Sequence, residues 1–199
     1  MKTIETTFEK SSVDFHPVVD LPKNYTVLDL TNNLWNSPET EFSIGKYDEF
    51  RPNMYTTTIF EGIRNIHMGI DLGGPVGTPC MSFMDGEITH FGYNSEPGDY
   101  GNVIIIKYII SKTIVWALYG HLDSLSISNI HTGQNVKRGE IVGRFGNNQE
   151  NGGWEPHLHF QLSLLEPVTH DLPGVVSSED RVQALLDYPD PRLVLGPLY

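Results

Sequence analysis

Cysteine is almost missing from this chain of 199 residues: Cys80 is the only one, which excludes an intrachain disulfide and a cysteine-rich zinc site. Any bound metal must therefore be held by histidine and carboxylate. Positive charge is scarce as well. With 13 Lys and Arg against 25 Asp and Glu, the formal charge is −12, whereas contacts to phosphate need clustered basic residues. Neither a nucleic-acid partner nor an anionic membrane partner is expected. No run approaches the roughly 18 apolar residues of a membrane span. The first ten residues lack an apolar core and bring acidic residues early, unlike a secretory signal. The expectation is a soluble, cytoplasmic protein. Internal repeats and low-complexity stretches are absent, which argues against solenoids and flexible tails.

What the chain does contain is turn chemistry: 19 Gly and 13 Pro beside 39% hydrophobic residues, which suits one compact domain. Residues 1–60 read as an irregular segment wrapping that domain, broken by Pro17, Pro22, Asn32-Asn33, Pro38 and Pro52. Within it, Val27–Leu30 reads as a short strand and Phe50–Tyr55 as extended, because of Pro52. From Asn65 the texture changes to short apolar runs punctuated by Gly and Pro. These runs cover 66–72, 79–84, 86–91, 102–110, 113–119, 136–145 and 157–164. The fold class expected is mainly β, a single domain built on antiparallel sheet over residues 61–170. Val103-Ile104-Ile105-Ile106 is too apolar for a strand with one wet face, and Ile110-Ser111-Lys112-Thr113 reads as a tight hairpin to the next strand. These two strands are expected near the middle of the sheet. In a C-terminal extension over 171–199, Ser177-Ser178-Glu179-Asp180 announces a short helix that Pro189 and Pro191 stop.

The chemistry gathers in three places. In His157-Leu158-His159-Phe160-Gln161-Leu162-Ser163 the alternation puts both histidines, Gln161 and Ser163 on one strand face. Both imidazoles can then line one pocket. His67 and Asp71 share a strand side but stand about 13 Å apart if the strand is straight, so they meet only where Gly69 lets it bend. His121 follows Tyr119-Gly120. Taken singly, Asp71 can cap the turn before Gly73-Gly74 and His121 can satisfy a strand end. Taken jointly, His67, Asp71 and either His157 or His159 form a set suited to zinc with a fourth position open.

The order of these motifs resembles the lysostaphin-type (LytM-like) zinc endopeptidases. The resemblance is carried by His67-Met68-Gly69-Ile70-Asp71-Leu72, Gly77-Thr78-Pro79, Asp85-Gly86-Glu87-Ile88, Tyr119-Gly120-His121-Leu122, Gly133-Gln134-Asn135-Val136-Lys137-Arg138-Gly139, Ile141-Val142-Gly143, Gly146 and His157-Leu158-His159-Phe160. It implies a β-sheet with a substrate groove, Zn2+ held by His67, Asp71 and His159, and His121 with His157 handling the attacking water and the oxyanion. It also implies hydrolysis of a peptide bond, in peptidoglycan-type or glycine-rich peptides. A narrower resemblance, through Asn151-Gly152-Gly153-Trp154-Glu155-Pro156 and the tail Asp190–Gly196, is to the peptidase-like segment between kinase-like and aminotransferase-like domains of certain fused proteins. That branch implies an amide substrate in small-molecule metabolism; a non-catalytic module of the same fold is a further alternative. Trp154, Tyr93 and Tyr100 are candidates for the groove wall. His16, His90, His131 and His170 have no partner at ligand spacing and are set aside.

Overall fold

All four side chains of Val103–Ile106 are fully buried, because this strand is covered on both faces. The computed structural model describes residues 14–32 and 38–199; the first ten residues, read above for a secretory signal, and Asn33 lie outside the described residues. Thirteen strands occur among the described residues: β1 (Thr26–Val27), β2 (Ser43–Gly45), β3 (Glu49–Phe50), β4 (Ile66–His67), β5 (Ile70–Gly73), β6 (Pro79–Met81), β7 (Gly86–Asn94), β8 (Gly101–Ile110), β9 (Thr113–Leu122), β10 (Asn135–Val136), β11 (Ile141–Arg144), β12 (His157–Ser163) and β13 (Val175–Val176). Eight of them form one sheet in the order β1-β2-β5-β12-β9-β8-β7-β10, antiparallel except for the β1–β2 pair. β11 pairs with β6, and a three-stranded sheet has the order β13-β4-β3.

The central hairpin follows its sequence. Ser111 and Lys112 both take positive φ, 47° and 77°, as a two-residue type I′ turn between right-twisted strands requires. Alternate residues of β8 then serve two cores. Ile104, Ile106 and Tyr108 join Phe83, Tyr119, Leu158 and Phe160 on one side, while Val103 and Ile105 join Tyr100, Trp116, Leu118 and Leu172 on the other. On β12, Leu158, Phe160 and Leu162 enter the first core. His159, Gln161 and Ser163 are therefore turned to the other face, buried at 3%, 0% and 0% exposure.

Four stretches depart from expectation; of Val27–Leu30, only Val27 lies in a strand, the edge strand β1. Residues 136–145 do not form one strand: Gly139, at φ 78°, turns the chain between β10 and β11, which lie in different sheets. Phe50–Tyr55 leaves the extended conformation after β3, because Asn53 adopts φ 60° inside a turn. The run at 79–84 ends as a strand at Met81. At the C-terminal end, Ser177 Oγ donates to Asp180 Oδ2 (2.7 Å) and accepts from Asp180 N (3.2 Å), which leads into helix α1 (Arg181–Asp187). A second helical turn, α2 (Arg192–Leu195), begins just after Pro191. No helix among the described residues is long and apolar enough to cross a membrane.

Candidate metal centre

Register delivers the polar side chains to one place. His159 on β12 is the direct cross-strand partner of Asp71 on β5 and of Gly120 on β9. His67 comes from the other sheet, on β4, where it pairs with Glu49 of β3 and Val175 of β13. The chain crosses between the sheets at Met68-Gly69, and this break closes the gap a straight strand would leave. His67 Nε2 lies 3.1 Å from Asp71 Oδ1. Gly69 has a second function, since a Cβ there would overlap the His159 ring.

His67 Nε2 is 3.0 Å from His159 Nδ1, which is 3.1 Å from Asp71 Oδ1, so the three atoms form a nearly equilateral triangle. Tetrahedral ligands about 2.0–2.1 Å from zinc stand about 3.3 Å apart, close to what is observed. The outer ring nitrogens fix what faces inward. His67 Nδ1 is 2.9 Å from the Lys46 carbonyl and must carry a proton to bond it. His159 Nε2 is 3.0 Å from Gln161 Oε1, whose orientation is set because Gln161 Nε2 donates to the Pro173 carbonyl. Both inner nitrogens thus present lone pairs, towards each other and towards a carboxylate oxygen. Such a convergence of acceptors needs a cation at its centre. A proton serves poorly, because burial, reinforced by Arg51, pulls the His67 imidazole down to about 4. Burial also opposes the charge on Asp71, yet its carboxyl stays well below the usual carboxylate range, held there by the Arg51 guanidinium beside it. The residues present fit a divalent metal of the zinc type.

Two more imidazoles stand beside the triangle. The β8–β9 ladder slips between Asn102 and Ile104, and in this bulge His121 takes φ 64°, which re-aims its side chain. Its Nδ1 is 2.8 Å from the Asn151 carbonyl, and His157 Nδ1 is 2.7 Å from the Glu155 carbonyl. Both therefore leave Nε2 as the free, basic nitrogen. The two rings lie 4.2 Å apart, and His157 Nε2 is 3.7 Å from Asp71 Oδ1. Burial pulls both below the ordinary histidine value; for His121, His157 and His159 add to it.

The five residues open onto a groove of about 1090 Å³. Tyr55, Phe60, Tyr100 and Trp154 line it, together with Pro167 and Leu172. Trp154 is fixed by a hydrogen bond from Nε1 to Gly98 O (3.1 Å), and Tyr100 by one from its hydroxyl to Leu172 O (3.0 Å). Tyr93 is not in the lining; it sits half-exposed on β7, which runs on to Asn94. His16, His90, His131 and His170 are not part of the cluster. Sequence reading missed Arg51, whose Nη1 is 2.8 Å from Asp71 Oδ2. The alternation Glu49-Phe50-Arg51 points the other way, to a buried aromatic between exposed charges, whereas Phe50 is exposed and the two charges are buried at 5% and 2%.

Residues 65–169, just over half of the chain, match the model of peptidase family M23. The chain belongs to that family. The stretch matched to M23 contains His67, Asp71, His121, His157 and His159 and leaves out Arg51. Among curated proteins, the chain is similar to the DD-carboxypeptidase/endopeptidase Mpg of Neisseria meningitidis, 34% identical over 112 residues, 54% of this chain and 23% of that protein. It is also similar to the peptidoglycan DD-endopeptidase ShyC of Vibrio cholerae, 31% identical over 115 residues, 56% of this chain and 24% of that one. The chain thus spans about a quarter of the length of these relatives. Among solved structures, the catalytic domain of the antimicrobial peptidase lysostaphin from Staphylococcus simulans aligns with a TM-score of 0.47 at 23% identity, covering 71% of this chain and 92% of that one.

Proposed function

We propose that this M23 chain is a zinc-dependent endopeptidase in which His67, Asp71 and His159 hold the metal and His121 and His157 do the proton work. The observation that carries the reading is the triangle of three inward-facing acceptors, beside which two further imidazoles offer a free Nε2. Zinc held there supplies a Lewis acid that acidifies water and polarises a carbonyl. The remaining chemistry belongs to the side chains. Both outer histidines are neutral at pH 7, since burial lowers them, so either can accept a proton through Nε2. Once protonated, that imidazolium can donate to the developing oxyanion and then to the leaving amine. The apolar walls at Tyr55, Phe60 and Trp154 suit an extended peptide, which they would shield from water.

The activities that give Mpg and ShyC their names support a cross-link peptide of peptidoglycan as substrate. The net charge of −12 favours the peptide part over anionic wall polymers. The resemblance to the middle segment of fused proteins supports a second candidate, a small amide. The test is metal analysis of protein purified without chelators, followed by a cleavage screen over peptidoglycan peptides, glycine-rich peptides and small amides. About one zinc per chain with cleavage of a peptide is expected. No metal, and no uptake on titration, would overturn the reading; metal without any cleavage would favour a binding module of the same fold.

A further inference from the structure

We propose that Arg51 is a positioning residue of the metal centre, so that the site depends on a segment outside the M23-matched stretch. The inference rests on the metal reading above. Arg51 is 2% exposed and every side of its guanidinium is engaged. Nη1 donates to Asp71 Oδ2 (2.8 Å) and Tyr55 Oη (3.0 Å), Nε to Glu49 Oε2 (3.0 Å), and Nη2 to the Lys46 carbonyl (3.3 Å). That carbonyl also takes the proton of His67 Nδ1 (2.9 Å), so a single backbone oxygen orients both the guanidinium and a candidate ligand.

The consequence for Asp71 is geometric. Its two oxygens are given different tasks: Oδ2 is held by Arg51, and Oδ1 is left facing His67 and His159. Gly45, the cross-strand partner of Asp71, makes room for this pair; a Cβ there would lie 2.8 Å from both Arg51 Nη2 and Asp71 Oδ2. Without the guanidinium, Oδ2 has no partner and the carboxylate is free to rotate away from the triangle. Arg51 also brings positive charge near a cation, which opposes binding. Glu49 offsets that charge at 3.0 Å, leaving orientation as the larger effect.

The test measures zinc affinity of the full chain, stripped of metal and titrated in competition with a chromophoric chelator. Arg51→Gln is expected to bind zinc about 10- to 100-fold more weakly, the range typical of lost outer contacts to a ligand. Arg51→Lys, which keeps a cation but loses the planar fork, is expected to fall between. The cobalt-substituted Arg51→Gln protein is expected to change its visible absorption bands, which a purely structural role would leave alone. Removing Arg51 alone leaves the buried Glu49 with Lys46 (3.3 Å) as its ionic partner and Oε2 without its donor, so Glu49→Gln/Arg51→Gln provides the same comparison without that unbalanced charge. Zinc affinity within twofold of wild type in a folded variant, or tighter binding, overturns the proposal. If the wild-type protein itself takes up no zinc, the metal reading fails first; if it does and the variants match it, only the role of Arg51 fails.

Discussion

The M23-matched stretch and the segment before it contribute to one site by different means. In residues 65–169, paired strands of four to ten residues place Asp71, His121, His157 and His159 through register, and rings such as Tyr119 and Phe160 pack fully buried behind them. Between residues 38 and 64 the strands are two or three residues long, and β3 is turned inside out, with Phe50 exposed and Glu49 and Arg51 buried. That segment holds the site by hydrogen bonds to backbone and carboxylate. Longer strands fix where a side chain starts; the short segment fixes how it is turned.

The largest expected effect lies in the first region. His159→Ala removes one of three candidate ligands, and the variant is expected to retain no zinc by elemental analysis and to lose activity with it. Zinc retained by His159→Ala but lost by His157→Ala would reverse the assignment within that pair.

Stability offers a second contrast. Phe160 is fully buried against Phe83 and Tyr119, so Phe160→Ala is expected to destabilise by about 3–5 kcal/mol in urea unfolding. Phe60, 7% exposed and outside the three core clusters, contacts Tyr55 at a ring distance of 4.9 Å. Phe60→Ala is expected to destabilise by about 1–2 kcal/mol. Equal effects would mean that the early segment belongs to the same packed unit as the central sheet.

The same contrast explains what could be read before any coordinates. The alternation in His157–Ser163 and the unbroken run Val103–Ile106 report burial directly, so the strands, their faces and the hairpin at Ser111-Lys112 were legible. The convergence of His67 with Asp71 was legible too, because Gly69, midway between them, marks a place where a strand can bend. Sheet membership was not: nothing in Glu49-Phe50 or Val175-Val176 announces that they flank His67 on either side. Arg51 was missed because a buried guanidinium is defined by partners 20 residues away, at Asp71, and local pattern carries no trace of them. Asn53 turns a stretch expected to be extended, and here the local signal was misread, since asparagine after proline is turn chemistry that tolerates positive φ.

A smaller effect sharpens the division of labour inside the matched stretch. His121→Ala and His157→Ala remove free Nε2 bases without touching the triangle, and each is expected to keep zinc near wild type while turnover falls on the order of a hundredfold. The measurement is zinc content beside single-turnover cleavage of whichever peptide the screen identifies. Unchanged turnover in both would leave only binding to explain.

The smallest expected effect is a change in how stability depends on pH. Burial first, then His157 and His159, push His121 well below its ordinary value of 6.5 in the folded chain. Between that lowered value and 6.5 the unfolded state binds a proton that the native state refuses, so unfolding free energy rises with pH. The contribution is therefore complete above about pH 6.5 and is lost as the solution is acidified. Each such histidine adds a slope of up to about 1.4 kcal/mol per pH unit. His67 and His157 are shifted in the same direction, so the metal-free protein is expected to melt at progressively lower temperature from pH 7 to pH 5. His121→Asn removes one of these groups while tolerating the positive φ of that position, and should flatten the slope by about one proton. Melting followed at half-unit pH steps in chelator decides it, and a variant as acid-sensitive as wild type would show that His121 is not buried in its neutral form.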